Sequence, residues 1–160
     1  MKKFLSIILT TIVLITPFSF TTSAENPEVI ISETTEYFED GSSITTTITQ
    51  QTSNIMPLSS TYNLTGSKTK TGKDSSGNVL YKFKITGTFL VNEGVSATCT
   101  AVSCSASDCN YGWELDSSTT SKSGNTAHAT GVFKKKTLFI TTQTIELPIS
   151  LSCDKNGVLS

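Results

Sequence analysis

Apolar and polar residues alternate with a period of two along most of the chain, and that spacing predicts strands rather than helices. The longest run places Val79, Tyr81, Phe83, Ile85, Gly87, Phe89 and Val91 on one face. Leu80, Lys82, Lys84, Thr86, Thr88 and Leu90 fall on the other. A second run alternates Ile145, Leu147, Ile149, Leu151 and Cys153 with Glu146, Pro148, Ser150 and Ser152. Shorter runs point Val95, Ala97, Cys99 and Ala101 inward, then Tyr111, Trp113 and Leu115, with Glu114 and Asp116 outward. Ala127, Ala129, Gly131 and Phe133 make another, and Ile44, Thr46 and Ile48 begin a weaker one. Between Leu138/Ile140 and Ile145 the apolar parity passes from even to odd, which predicts a bulge or strand break near residues 141–144.

Turn residues punctuate these runs at Asp40-Gly41, Asp74-Ser75-Ser76-Gly77, Asn92-Glu93-Gly94, Ser123-Gly124-Asn125 and Asn156-Gly157. Short strands with one solvated face predict an all-β fold, an antiparallel β-sandwich in preference to a small barrel. Its predicted core contains Tyr81, Phe83, Phe89, Trp113, Leu147, Ile149 and Leu151. Composition explains how such a surface stays soluble. Of 160 residues only 36% are hydrophobic and 16% charged, while 23 are Ser and 28 are Thr. Thr is β-branched and suits a pleated, half-wet face. The same numbers exclude a helical bundle, a coiled coil and a multi-pass membrane protein. A net charge of −1 and a pI near 5.8 argue against nucleic acid as the main partner.

The first 24 residues read as a signal peptide. Lys2 and Lys3 precede a mostly apolar run, Phe4 to Ile15; Pro17 interrupts it, and Thr22-Ser23-Ala24 supplies small residues for cleavage. The run is shorter than the roughly 20 residues a membrane span needs, so no transmembrane segment is expected after cleavage. The expected location is therefore secreted and extracellular. Leu147-Pro148-Ile149-Ser150 lacks the Thr-Gly of a wall-sorting signal. Residues 25–40 hold six acids and no Lys, and read as an acidic N-terminal arm, a prosegment, or an edge strand paired through Asp40-Gly41. Residues 41–160 form the sandwich domain.

Cys99, Cys104, Cys109 and Cys153 are expected to be oxidised in an exported protein, and four cysteines allow three pairings. Strand parity favours Cys99–Cys153 through the core. Cys104, at odd offset from Cys99, would face away or lie past the strand, leaving Cys104–Cys109 as a local clip. The order Cys99, Trp113, Cys153 resembles the immunoglobulin-like packing of a Trp on an inter-sheet disulfide, although Leu151 stands where that fold has a Tyr. A metal site built from these thiols and His128 lacks any Cys-x-x-Cys pair, so neither metal nor cofactor is expected.

Catalytic signatures are thin, and no catalytic residue is assigned. The single His has no Gly-x-Ser-x-Gly elbow to serve. Asp74-Ser75-Ser76-Gly77-Asn78 has the wrong spacing for a calcium loop and reads as a turn. Glu114 and Asp116 share the pattern of paired glycosidase carboxylates, but a wet strand face explains them as well. Lys134-Lys135-Lys136 suits contact with an anionic polymer or lipid headgroup, or else a solvated edge. Asn63-Leu64-Thr65 is a formal glycosylation triplet.

Four residue sets carry a family likeness. They are Phe38-Glu39-Asp40-Gly41-Ser42, Thr86-Gly87-Thr88-Phe89 with Ala97-Thr98-Cys99-Thr100, Ser123-Gly124-Asn125-Thr126-Ala127, and Leu151-Ser152-Cys153 with Asn156-Gly157-Val158-Leu159-Ser160. On these the chain resembles small, uncharacterised secreted proteins of Gram-positive bacteria. The resemblance implies export and a compact β domain with a Cys99/Cys153 pair, and it implies no activity. The functional expectation is a secreted, non-catalytic binding module at the cell envelope or host surface, its partner an envelope polymer, a glycan or a protein. A toxin or bacteriocin-like protein, or its immunity partner, is the alternative. An extracellular hydrolase, resting on Glu114, Asp116 and His128, is a weaker one.

Overall fold

The computed structural model describes residues 27–52, 60–138 and 140–160, so the signal-peptide reading of 1–24 lies outside the described residues. Eight strands follow in order: β1 (Glu28–Tyr37), β2 (Ser43–Gln51), β3 (Thr61–Lys73), β4 (Val79–Asn92), β5 (Ser96–Ser107), β6 (Trp113–Ser123), β7 (Thr126–Thr137) and β8 (Ile140–Ser152). They form a five-stranded sheet, β1-β2-β3-β4-β5, and a three-stranded sheet, β6-β7-β8. Every pairing is antiparallel and joins neighbours in sequence. The immunoglobulin-like expectation therefore fails on connectivity. Two successive meanders contain no strand that returns beside a distant one, which a Greek key requires.

The two sheets share one core. Tyr81, Phe83, Ile85, Phe89 and Val91 of β4 are buried, as are Ala127, Ala129 and Phe133 of β7, and Leu147, Ile149 and Leu151 of β8. The Phe83 and Phe133 rings meet edge-on, with centroids 5.8 Å apart. Small residues make room for them. A Cβ on Gly131 would sit 3.0 Å from both the Phe83 and the Phe133 ring, and one on Gly87 would sit 2.8 Å from the Phe89 ring. Each large apolar side chain so buried stabilises the fold by about 1.5–3 kcal/mol.

Three departures from strict alternation follow from bulges. In β5, Thr88 pairs with Ala101 and Phe89 with Cys99, so Thr100 is an extra residue. Past it the parity reverses: Ala101 is exposed, whereas Val102, Cys104 and Ala106 turn toward the core. Cys104 thus faces inward on the strand, opposite Ile85, contrary to the expectation from simple parity. In β8, Lys135 pairs with Gln143 and Lys136 with Thr141, leaving Thr142 extra and shifting the apolar phase where the sequence requires it. In β6 the extra residue is Asp116. Two inward assignments are corrected. Val95 is 69% exposed in the turn before β5, and Tyr111 is 62% exposed at φ 54 in the loop before β6.

The acidic segment after residue 27 is the edge strand β1, closed onto β2 by a turn in which the Phe38 N–H donates to the Ser42 carbonyl. Strand β3 has no counterpart in the sequence reading. Its core-side positions are Tyr62, Leu64, Gly66, Lys68, Lys70 and Gly72, each paired with an inward residue of β4. Only two of the six are apolar. Gly66 and Gly72 leave room for other side chains, and the Lys70 ammonium reaches across to the Pro148 carbonyl at 2.8 Å. Burial, then the neighbouring Lys70, holds the Lys68 ammonium below its ordinary pKa.

All four cysteines are free thiols in the structure, so neither expected bridge is present. Cys99 and Cys153 are both buried and flank one turn: the Cys99 N–H donates to the Gly124 carbonyl and the Cys153 N–H to the Asn125 carbonyl. After Cys153 the chain reverses through Asp154-Lys155-Asn156-Gly157 and pairs Leu159 with Cys153. Leu159 is thereby buried over Gly66.

Candidate functional site

The end of the sandwich opposite that C-terminal hook opens into a cleft of about 270 Å³ between the sheets. Its walls come from the β1–β2 turn, the β3–β4 turn and the start of β4 on one side, and from Trp113, Lys135, Gln143 and Ile145 on the other. Tyr81 and Trp113 give it an aromatic lining, and Phe38, 46% exposed, stands at its mouth. The Tyr81 ring stacks on Phe133 with centroids 4.9 Å apart and meets Trp113 edge-on at 5.4 Å. Gly72 makes this position accessible, since a Cβ there would lie 2.4 Å from Cζ of Tyr81. Burial raises the Tyr81 phenol above its ordinary pKa.

Trp113 is held by the loop before it. Its N–H donates to the Asn110 carbonyl, while the Asn110 side chain donates to the carbonyls of Val79 and Asp108. Gly112, at φ +82, accepts from the Lys136 N–H at 2.8 Å. The indole N–H itself is buried without a hydrogen-bond partner, the one such side-chain atom among the described residues. Leaving it unpaired costs about 1–3 kcal/mol.

Two similar turns supply the polar rim. Asp40 Oδ1 accepts from both the hydroxyl and the N–H of Ser42, and Asp74 Oδ1 accepts from the N–H groups of Ser76 and Asn78. The Ser42 hydroxyl first for Asp40, and for Asp74 first the Asn78 side-chain amide, which donates to Oδ2, hold both carboxyls below the ordinary carboxylate range. Lys73 and Lys135 complete the rim. The arrangement offers aromatic surface, two fixed carboxylates and two ammonium groups to a ligand entering between the sheets.

Residues singled out from sequence scatter around this cleft. Strand alternation splits the lysine run: Lys135 lines the cleft, while Lys134 pairs with Asp116 at 2.8 Å and Lys136 pairs with Glu114. The two carboxylates considered for a glycosidase are thus occupied by lysines of the next strand. His128 lies on the outer face of β7, its Nδ1 2.9 Å from the Ser150 hydroxyl. Asp74 to Asn78 form a turn closed by the Asp74 carboxylate. No group of three His, Cys, Asp or Glu side chains converges among the described residues. Phe38 and Asp40 were read from sequence only as parts of a turn, and Ser43 and Gln143 not at all, because only the fold brings the β1–β2 turn beside β8. Compared with protein-family models, with curated proteins and with solved structures, the chain matches none.

Proposed function

We propose that this protein is an exported, non-catalytic β-sandwich module that binds a partner at the cell envelope or host surface through the inter-sheet cleft. The observation that carries the reading is the cleft itself, where Tyr81 and Trp113 sit behind a rim of Asp40, Asp74, Lys73 and Lys135. Rings bearing hydroxyl or amide groups, such as those of an envelope glycan, match that mixture of aromatic and polar contact. The leader-like segment 1–24 and the Ser/Thr-rich composition support an extracellular setting.

Oxidation belongs to the same reading. A Cys99–Cys153 bridge formed on export would close a loop of 55 residues, worth about 4 kcal/mol in the chain-entropy account. Supporting it, both cysteines are buried and their backbone N–H groups donate to adjacent residues of one turn, Cys99 to Gly124 and Cys153 to Asn125. Non-reducing peptide mapping of secreted protein tests it, and free thiols at 99 and 153 would exclude it.

Trp113 is the chain's single tryptophan, so binding at the cleft has a built-in reporter. Titration with soluble cell-wall glycan fragments should shift its emission, and Phe38→Ala or Lys135→Glu should weaken the response at least fivefold. A flat titration, together with no co-sedimentation of micromolar protein with cell walls, would refute the reading.

A further inference from the structure

We propose that the free edge of β1 is a strand-addition site for a lysine-bearing extended segment of another protein. A sheet edge presents unpaired N–H and C=O groups, and proteins blunt unused edges with proline, charged side chains (lysine above all) or a bulge. Three edges here are guarded. β8 carries Pro148 in mid-strand, and the carbonyl of that proline is held by the Lys70 ammonium. β5 is bulged at Thr100, whose carbonyl takes the Lys122 ammonium from β6. That contact covers β6 as well, and β6 is bulged at Asp116.

β1 is blunted only by its glutamates and an early bulge, and a cationic strand would neutralise the former. It contains neither Pro nor Lys, and nine of its ten residues are exposed. Its bulge at Ile31 lies near the start and leaves Ser32 to Tyr37 regular. The bonds from the Phe38 N–H to Ser42 and from the Thr52 N–H to Pro27 fix the phase of the β1–β2 ladder. Antiparallel alternation then directs the N–H and C=O groups of Glu33, Thr35 and Tyr37 to the free edge.

Charge selects the occupant. Glu28, Glu33 and Glu36 lie on β1, Glu39 and Asp40 follow it, and β2 carries no charged residue. Glu28 pairs with Lys84, whereas Glu33 and Glu36 are in no ion pair among the described residues. Glu33 lies on the outer face of the sheet and Glu36 on the inner, so a strand with lysines on both faces meets both. A second copy of β1 would instead set three glutamates beside three, and like charges across strands repel. Addition of a strand at an open edge is an established mode of peptide recognition.

The test uses the full chain and two eight-residue peptides built on the repeat Thr-Lys-Lys-Val, which sets lysines on both faces, or with Glu in place of Lys. The lysine peptide should slow amide exchange of Glu33, Thr35 and Tyr37 at least tenfold and bind at least tenfold tighter than the glutamate peptide. Thr35→Pro, which removes an edge N–H and no backbone bond to β2 (the Thr35–Thr45 hydroxyl contact is lost with it), should weaken it at least fivefold. The double variant Glu33→Lys/Glu36→Lys keeps the backbone and should reverse the peptide preference. Equal binding of the two peptides, protection confined to the cleft, or an unchanged preference in the charge-reversed variant would overturn the proposal. So would concentration-dependent protection of β1 without peptide, which would assign the edge to a second copy.

Discussion

The buried Leu159 gives the sharpest test of how the last residues are held. A Cβ built on Gly66 would lie 2.2 Å from Cδ1 of Leu159, far inside contact distance, and 3.1 Å from the Thr49 carbonyl oxygen. In Gly66→Ala the leucine must therefore leave its place. Truncating a buried leucine typically costs 2–5 kcal/mol, and Leu159 sits in an irregular segment beyond β8 that can relax, so Leu159→Ala should cost about 2–3 kcal/mol. Gly66→Ala loses the same burial but recovers about 0.5–1 kcal/mol, because glycine is a poor strand residue, for a net cost of about 1.5–2 kcal/mol. With Leu159 already alanine that clash is gone and only the 3.1 Å approach to the Thr49 carbonyl oxygen remains, so Gly66→Ala should be close to neutral. The two substitutions are then coupled by about 2 kcal/mol. Urea denaturation followed by Trp113 emission measures all four corners of the cycle, each kcal/mol moving the midpoint by roughly 0.3–1 M. Additivity within about 0.5 kcal/mol would refute the reasoning, since it would mean that Leu159 does not occupy the space over Gly66.

Two further outcomes follow from single groups. Burial, then the Asp154 charge, pushes the Cys153 thiol from its ordinary 9.0 up to about 11. A raised folded pKa means that the folded state holds the proton more tightly. The contribution, about 2–3 kcal/mol, is therefore complete below pH 9 and lost as pH rises toward 11. Reduced protein should lose stability between pH 9 and 11, less so as Cys153→Ala, and equal pH dependence in both would contradict the assignment. Gly112→Ala places a Cβ 2.4 Å from the Lys136 carbonyl oxygen at a left-handed φ of +82. It should cost more than about 2 kcal/mol and red-shift Trp113 emission; a midpoint within experimental error of the unsubstituted chain would refute it.

What the sequence determined by itself is the material of the fold. Period-two alternation in 79–91, 127–133 and 145–153 defines β4, β7 and β8, because the inward positions of a half-buried strand must be apolar and the outward ones need not be. Even the irregularity at Thr142 was legible, as a phase slip that only an extra residue can absorb. The bulge at Thr100 was not, since small residues on both sides of it, Ala97, Ala101 and Ala106, leave no contrast from which to read a phase. Parity alone therefore misplaced Cys104. β3 was hidden for a related reason: its inward glycines and lysines serve side chains supplied by β4, β8 and the C-terminal turn, and a local pattern cannot encode a partner distant in sequence. The edge strand β1 was one of the alternatives the sequence offered for its acidic segment, whereas the cleft is a product of tertiary structure alone. Five strands face three, so the sheets cannot cover one another completely, and the chemistry displayed where they part is set by which turns and edges the packing leaves there.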